Sequence, residues 1–284
     1  MKTLYISDLD GTLFGSDSRI SKETESILTQ LPSEKLFTIA TARTPATVDL
    51  ILPRTVGPHI PSIVITGAAL WHRDEHRYSD VKIMDPQAAL KAEEVMLKCS
   101  LAPFTYTIDA PGGMLYTYGR IPAGRPRFAP LTTAERNFVD ERRNLPLKKI
   151  LIGKNPGIHP SLLIFGIGTM KQVTESADRI KNEIDCSISV YGDVFNPEKG
   201  FVEVFAPGVS KGSAALDLKK RIGADRLVVF GDSHNDIAML SVADTAVVVA
   251  NANDEVKKNA TVITGPNTES SVARFIAGDS PEGR

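Results

Sequence analysis

Two carboxylates stand two residues apart near the start of the chain, in Asp8-Leu9-Asp10-Gly11-Thr12-Leu13, directly after the apolar run Leu4-Tyr5-Ile6. Such a run reads as a buried strand, and Gly11 lets the backbone turn where it ends. Side chains at i and i+2 of a regular strand point the same way. At the end of a strand the backbone is already turning. The Asp8 side chain can then act together with the Asp10 backbone carbonyl, and the Asp10 side chain is left for proton transfer. Carboxylates and carbonyls are hard oxygen ligands that suit Mg²⁺. A carboxylate can also act as a nucleophile that becomes an aspartyl-phosphate. The same two aspartates would suit an ordinary turn, so the weight falls on what accompanies them.

Three further segments supply matching chemistry. Leu227-Val228-Val229-Phe230 delivers Gly231-Asp232-Ser233-His234-Asn235-Asp236, a second acidic group at the end of a second strand. Asp232 is the natural third anchor for a metal ion, and Asp236 suits either a metal-bound water or Lys211. Taken alone, both would pass for helix caps. Thr41 ends the run Leu36-Phe37-Thr38-Ile39-Ala40, where a hydroxyl and the following N–H groups can hold phosphate oxygens. Lys211, in Gly208-Val209-Ser210-Lys211-Gly212, is the cation that could neutralise a phosphoryl group and orient Asp8, although most lysines are simply exposed.

Phosphate-monoester hydrolysis is among the slowest uncatalysed reactions. It needs a held nucleophile, a proton donor for the leaving oxygen and compensation of phosphoryl charge. Asp8 fits the first role. Asp10 fits the second, protonating the leaving alkoxide and then deprotonating the attacking water. An ordinary aspartate titrates near ~3.9, so that role needs a raised pKa or a proton brought by the substrate.

The elements that must position these residues alternate. Ser21 caps a helix predicted to run to about Leu31, a second helix begins near Thr44-Pro45, and Ile63-Val64-Ile65 is a third strand ending at Thr66-Gly67. Alternation of this kind argues for a doubly wound, Rossmann-like parallel sheet, an α/β fold that binds ligands beyond the carboxyl ends of its strands. Asp8, Thr41 and Gly67 all fall at such ends.

From about Val81 the pattern changes. A helix over 86–100, strands over 104–108, 114–118, 162–167 and 187–191, and a helix over 170–182 suggest an inserted α+β domain. Pro111-Gly112-Gly113 marks a turn. The basic stretch with Arg120, Pro122, Arg125, Pro126 and Arg127 reads as a solvated loop, with a surface facing an anionic substrate as the alternative. Trp71, His72, His59, His76 and His159 read as packing or turn residues. The parallel-core pattern is expected to return at Phe201-Val202-Glu203-Val204-Phe205. Core strands are also expected over 246–249 and 262–263, and a last helix over 270–277. The expected division is a core over 1–80 and 195–284 and an insertion over 81–194.

Composition is that of an ordinary globular protein: 284 residues, 42% hydrophobic, 24% charged and net charge −1. Neither a nucleic-acid footprint nor an acidic tail is evident. No apolar run approaches the ~20 residues that span a bilayer, and no secretory signal pattern opens the sequence. Cys99 and Cys186, far apart in sequence, make a disulfide framework or zinc cluster improbable. The expected setting is cytoplasmic, with no nucleic-acid or membrane partner and an open oligomeric state.

Taken together, these motifs resemble the haloacid dehalogenase superfamily of phosphohydrolases, and within it the Cof-type sugar-phosphatase group with a type C2 cap. The resemblance covers about residues 1–80 and 195–275. Asp8-Leu9-Asp10-Gly11-Thr12-Leu13, Thr41, Lys211 and the Asp232 segment match its four motifs, and Asn251-Ala252 with Val256-Lys257 and Ala260 looks like its C-terminal segment. The resemblance implies Mg²⁺, an aspartyl-phosphate, and a small phosphate ester as substrate. The implied catalytic residues are Asp8, Asp10, Thr41 and Lys211, and the implied substrate contacts are Leu9, Thr41, Ala42, Arg43, Asn235 and Lys211. The implied metal residues are Asp8, Asp10 (through its carbonyl), Asp232 and Asp236. The cap is expected to close over the core, exclude water and choose the leaving group.

Ala42 stands where the group usually has Gly, Thr66 where Asn is usual, and Glu269-Ser270-Ser271 replaces an acidic-Asp-Gly pattern. These departures touch specificity rather than the four catalytic positions. Phosphoryl transfer between sugar hydroxyls and non-catalytic metabolite binding are the alternatives. Phosphate release against transfer, and the dependence of turnover on metal, separate them.

Overall fold

A computed structural model describes residues 1–57, 59–109, 114–121, 131–142, 145–153, 160–193, 196 and 198–279. The Pro111-Gly112-Gly113 turn, His159, and Pro122, Arg125, Pro126 and Arg127 of the basic stretch lie outside them. The chain forms two compact units, Met1–Asp80 with Ser210–Arg284, and Val81–Val209.

The first unit is built on five parallel strands in the order Val262–Thr264, Thr245–Val249, Arg226–Gly231, Thr3–Ser7, Lys35–Ile39. Alternation along each strand feeds two separate cores. Tyr5, Val228, Phe230, Val247 and Val249 pack on one face with Phe14, Leu28, Phe37 and Ile276. Leu4, Ile6, Leu227, Val229 and Val248 pack on the other with Ala215, Leu218 and Met239. A sheet covered on both faces needs apolar residues at every position, which explains the unbroken hydrophobic runs. Ser62–Val64 continues beside the sheet through a parallel bridge from Ala40 to Ile63, then leads an antiparallel ribbon with Ala69–His72 and Arg77–Ser79. Trp71 is fully buried in that ribbon and donates to Asp49, while Arg73 donates to the carbonyls of Leu52, Pro53 and Val56.

The second unit carries a six-stranded sheet in the order Ser187–Gly192, Lys199–Phe205, Ser161–Thr169, Phe104–Asp109, Met114–Gly119, Lys148–Ile152. It is antiparallel except for its last pair. The helices Pro86–Lys98 and Met170–Glu183 pack on it, the first capped by Asp85 and the second by a capping box at Thr169 and Gln172.

The return to the first unit falls at Ser210, not at 195 as expected. Phe201-Val202-Glu203-Val204-Phe205 belongs to the strand Lys199–Phe205 of the second sheet, paired antiparallel on both sides. Its alternation suggests a half-buried strand, but Val202, Glu203, Val204 and Phe205 are all buried, with Glu203 reached by the Tyr191 hydroxyl. A helix over Thr133–Arg142 was not expected, because only Phe138 and Val139 give it a buried apolar side. Among the described residues no helix is long and apolar enough to cross a membrane.

Candidate active site

Three neighbouring strands of the parallel sheet end side by side, so Asp232, Asp8 and Thr41 emerge in that order at its carboxyl edge. This is where open parallel sheets bind ligands. Asp8 is 5% exposed, and its N–H donates to the Phe230 carbonyl at 3.0 Å, tying it to the strand that delivers Asp232.

Lys211 opens the helix Lys211–Ile222, whose cap Ser210 accepts from the Ser213 N–H. Its side chain is wholly buried, and Nζ donates to Asp8 Oδ1 at 2.6 Å and Asp236 Oδ1 at 2.7 Å. Burial alone would lower the Lys211 pKa, but Asp236 and Asp8 outweigh it and hold the ammonium well above its ordinary range. Removing one partner from such a buried ion group costs about 3–5 kcal/mol. The other Asp236 oxygen accepts from the N–H groups of Asp232 and Ser233 and from the Ser233 hydroxyl. Asp236 is thereby tied first to Lys211 and to its own turn.

Asp8, Asp232 and Asp236 each place a carboxylate oxygen within 4.8 Å of the others. Burial pushes the Asp8 carboxyl up, against the pull of Lys211, and pushes Asp232 up to about 6. Three carboxylates thus face one ammonium, and unmatched charge in a poorly solvated place is costly. The donors are all hard oxygens. Excess negative charge and this donor chemistry both fit a divalent cation such as Mg²⁺.

Asp10 lies outside that cluster. Its half-exposed carboxylate is held in the fork of Arg43, with Nε to Oδ2 and Nη2 to Oδ1 both at 2.7 Å. Gly11 follows with φ +83°, and a Cβ there would stand 2.4 Å from Asp232 Oδ2. No other residue meets both demands.

Thr41 is buried, and its hydroxyl oxygen accepts from the Arg43 N–H at 3.1 Å, which leaves its own proton to donate. Its carbonyl accepts from Thr66 N–H and the Arg43 carbonyl from Ile65 N–H. Ile65 and Thr66 both have left-handed backbones, φ 52° and 56°. Asparagine tolerates that conformation better than a β-branched residue, so Thr66 is held there by its surroundings. Gly67 lets the same loop approach the Ser210 carbonyl, which a Cβ would meet at 2.2 Å.

Of the remaining expected residues, Leu9 is wholly buried in the apolar core, so only its backbone is available to a ligand. Ala42 is half-buried beside Arg43, and Asn235 is exposed, its Oδ1 accepting from Ser233 Oγ at 2.6 Å. Two contributors lie in motif segments of the sequence that gave them no role of their own. Thr12 donates to Asp232 Oδ1 at 2.6 Å, and Asn251 donates to the Gly11 carbonyl at 2.8 Å. Thr12 lies inside the first motif, and Asn251 opens the segment that resembles the family's C-terminal one.

A doubly wound core, interrupted by an α+β insertion and carrying an acidic cluster with a buried lysine at its carboxyl edge, is the architecture and site chemistry of an α/β phosphoryl-transfer protein. Residues 5–276 match the model of the haloacid dehalogenase-like hydrolases, and the chain belongs to that family. It is 26% identical, over 97% of both chains, to the Bacillus subtilis protein YwtE, a 5-amino-6-(5-phospho-D-ribitylamino)uracil phosphatase. Its fold is shared with TM0651 of Thermotoga maritima, at TM-score 0.74 and 20% identity over 99% of each chain. The subclass IIB sugar phosphatase BT4131 shares it at TM-score 0.72 and 18% identity, over 97% of this chain and 98% of that one. The class expected from the motifs, a phosphoric monoester hydrolase, stands.

Proposed function

We propose that the chain is a Mg²⁺-dependent phosphatase of small phosphorylated metabolites, sugar phosphates first, working through a phosphorylated Asp8. The observation that carries this reading is the meeting of Asp8, Asp232 and Asp236 around the buried Lys211. The side chains of Asp8 and Asp232 and the Asp10 carbonyl would hold the ion, with Asp236 nearby. When bound, it offsets the charge of the carboxylates and of the phosphoryl oxygens.

The chain's own residues divide the work. Lys211 orients the Asp8 carboxylate, one oxygen of which attacks phosphorus as the ester P–O bond breaks. Asp10 gives its proton to the leaving oxygen, then takes one from the water that attacks the aspartyl-phosphate. Inorganic phosphate leaves and Asp8 is restored. Thr41 Oγ1, Asn235 and Lys211 hold the phosphoryl oxygens meanwhile. YwtE is named for the phosphate ester of a polyol, chemically close to a sugar phosphate, and this supports the substrate class. The free thiols Cys99 and Cys186 suit the reducing cytoplasm expected for such metabolites.

Phosphate release from a panel of sugar phosphates, nucleotides and phosphorylated cofactors, with Mg²⁺ or with EDTA, tests the reading. Turnover should need Mg²⁺ and be best on a sugar or polyol phosphate. Asp8→Asn should cost at least about 10³-fold in kcat. Near-full hydrolysis by that variant would refute the nucleophile, and clear preference for a nucleotide would refute the substrate class.

A further inference from the structure

Two side-chain amides from the last part of the chain grip the turn that carries Asp10 and Gly11. Asn251, two residues past the Thr245–Val249 strand, donates Nδ2 to the Gly11 carbonyl at 2.8 Å. Its Oδ1 accepts from the Asn267 N–H at 2.9 Å, and Asn267 Nδ2 donates to the Phe14 carbonyl at 2.7 Å. A carbonyl can only accept and an N–H only donate, so both ends of the Asn251 amide are fixed by their partners. On the other side of the turn, the Thr12 hydroxyl donates to Asp232 Oδ1 at 2.6 Å. The Gly11–Thr12 peptide is therefore held at two points, its carbonyl by Asn251 and its threonine side chain by Asp232. A peptide unit is a rigid plate, and Gly11, at φ +83°, is the pivot about which this one would rotate most freely. Rotation there would draw Thr12 Oγ1 away from Asp232 and move Asp10 on the near side of the pivot.

We propose that Asn251 is a positioning residue for the reaction. It fixes the Gly11–Thr12 peptide and so, through Thr12, sets the Asp232 carboxylate for the cation. This rests on the reading of the site as a Mg²⁺-dependent phosphatase. Asn251 is exposed, and an exposed hydrogen bond adds little to folding stability. Its effect is on orientation, and groups that orient metal ligands typically affect metal affinity or activity by about 10–100-fold.

Asn251→Ala removes both contacts of the amide. Asn251→Asp keeps the shape and the acceptor for Asn267 but cannot donate to Gly11. Its added negative charge would by itself tighten a cation, so weaker binding reads the lost donor. In both variants of the full chain, Mg²⁺ affinity by isothermal titration calorimetry should fall about 10-fold or more, with kcat down by about 10–100-fold. KM should change by less than about threefold, with melting close to wild type. Wild-type Mg²⁺ affinity and kcat in Asn251→Asp would overturn the proposal, since the Asn267 contact alone would then suffice. So would an activity loss that merely follows earlier melting. A wild-type chain that neither binds Mg²⁺ nor releases phosphate would overturn the reading of the site and the proposal together. A competent wild type with indifferent variants would overturn the proposal alone.

Discussion

Asp10 and Arg43 present the sharpest question at the scale of single residues. Both oxygens of the Asp10 carboxylate are occupied by the Arg43 guanidinium fork, whereas the proposed role needs one of them free to reach the leaving oxygen. Asp10 must therefore leave Arg43 before it can serve the leaving group, and a phosphate ester arriving beside Arg43 offers the guanidinium a replacement anion. The role of Asp10 can be separated from that of Asp8 by the leaving group. Asp10→Asn keeps the backbone carbonyl but carries no transferable proton. On an alkyl phosphate, whose alkoxide must be protonated, kcat should fall about 10²–10⁴-fold. Nitrophenoxide leaves without a proton, so nitrophenyl phosphate should still give a burst of about one nitrophenolate per chain before slow turnover, as expected when a covalent intermediate forms but is not hydrolysed. Equal losses on both esters without a burst would assign the proton to another group.

At the scale of elements, burial of a charged side chain in a strand has a measurable cost. Lys148 begins the strand Lys148–Ile152, is 6% exposed, and lies over the rings of Tyr106 and Phe138, with the Tyr106 hydroxyl at 3.4 Å. Burial pushes its pKa down to about 7, helped by the nearby Arg142. The folded chain thus holds this proton more weakly than the unfolded chain, whose lysine titrates near ~10.4. Unfolding takes up a proton between those two values, so this contribution to stability improves as pH rises from about 7 toward ~10.4. Lys148→Met should raise stability by roughly 1–3 kcal/mol at pH 7 and flatten that slope. Urea midpoints at pH 7 and pH 9 read both effects, and an unchanged midpoint at pH 7 would show the lysine to be well accommodated.

The same strands show what the sequence could and could not tell. The parallel core was legible because Leu4-Tyr5-Ile6 and Leu227-Val228-Val229-Phe230 are apolar throughout, and Ser21 and Ser210 cap helices as their types suggest. Asp8, Asp10, Thr41, Lys211 and Asp232 could be picked out because each sits at the end of such a run or cap. The strand Lys199–Phe205 was given to the wrong sheet because an alternating pattern does not say which strands pair. Asn251 stood in a segment that matched the family but carried no role, because its partner, the Gly11 carbonyl, lies 240 positions away in sequence.

At the scale of the whole molecule, the chain leaves the first unit after Asp80 and re-enters at Ser210, one residue before Lys211. The four proposed catalytic positions, Asp8, Asp10, Thr41 and Lys211, therefore belong to one unit. That unit gathers Asp8, Asp232 and Asp236 around a single lysine while the protein as a whole carries a net charge of only −1. A site of this kind stores repulsion that a cation relieves, so function and stability should oppose each other when the cation is removed. On the proposed Mg²⁺ dependence, the wild-type chain should melt higher with Mg²⁺ than with EDTA, by a shift that grows with concentration and corresponds to about 2.7 kcal/mol at 100 times Kd. Asp232→Asn removes one of the mutually repelling charges and one ligand. In EDTA it should melt no lower than the wild type, and Mg²⁺ should then shift it little. Scanning calorimetry of both chains in the two conditions separates the cases. A variant that melts well below wild type in EDTA would mean that Asp232 stabilises the fold through Thr12 instead of straining it. A full Mg²⁺ shift in the variant would place the ion elsewhere.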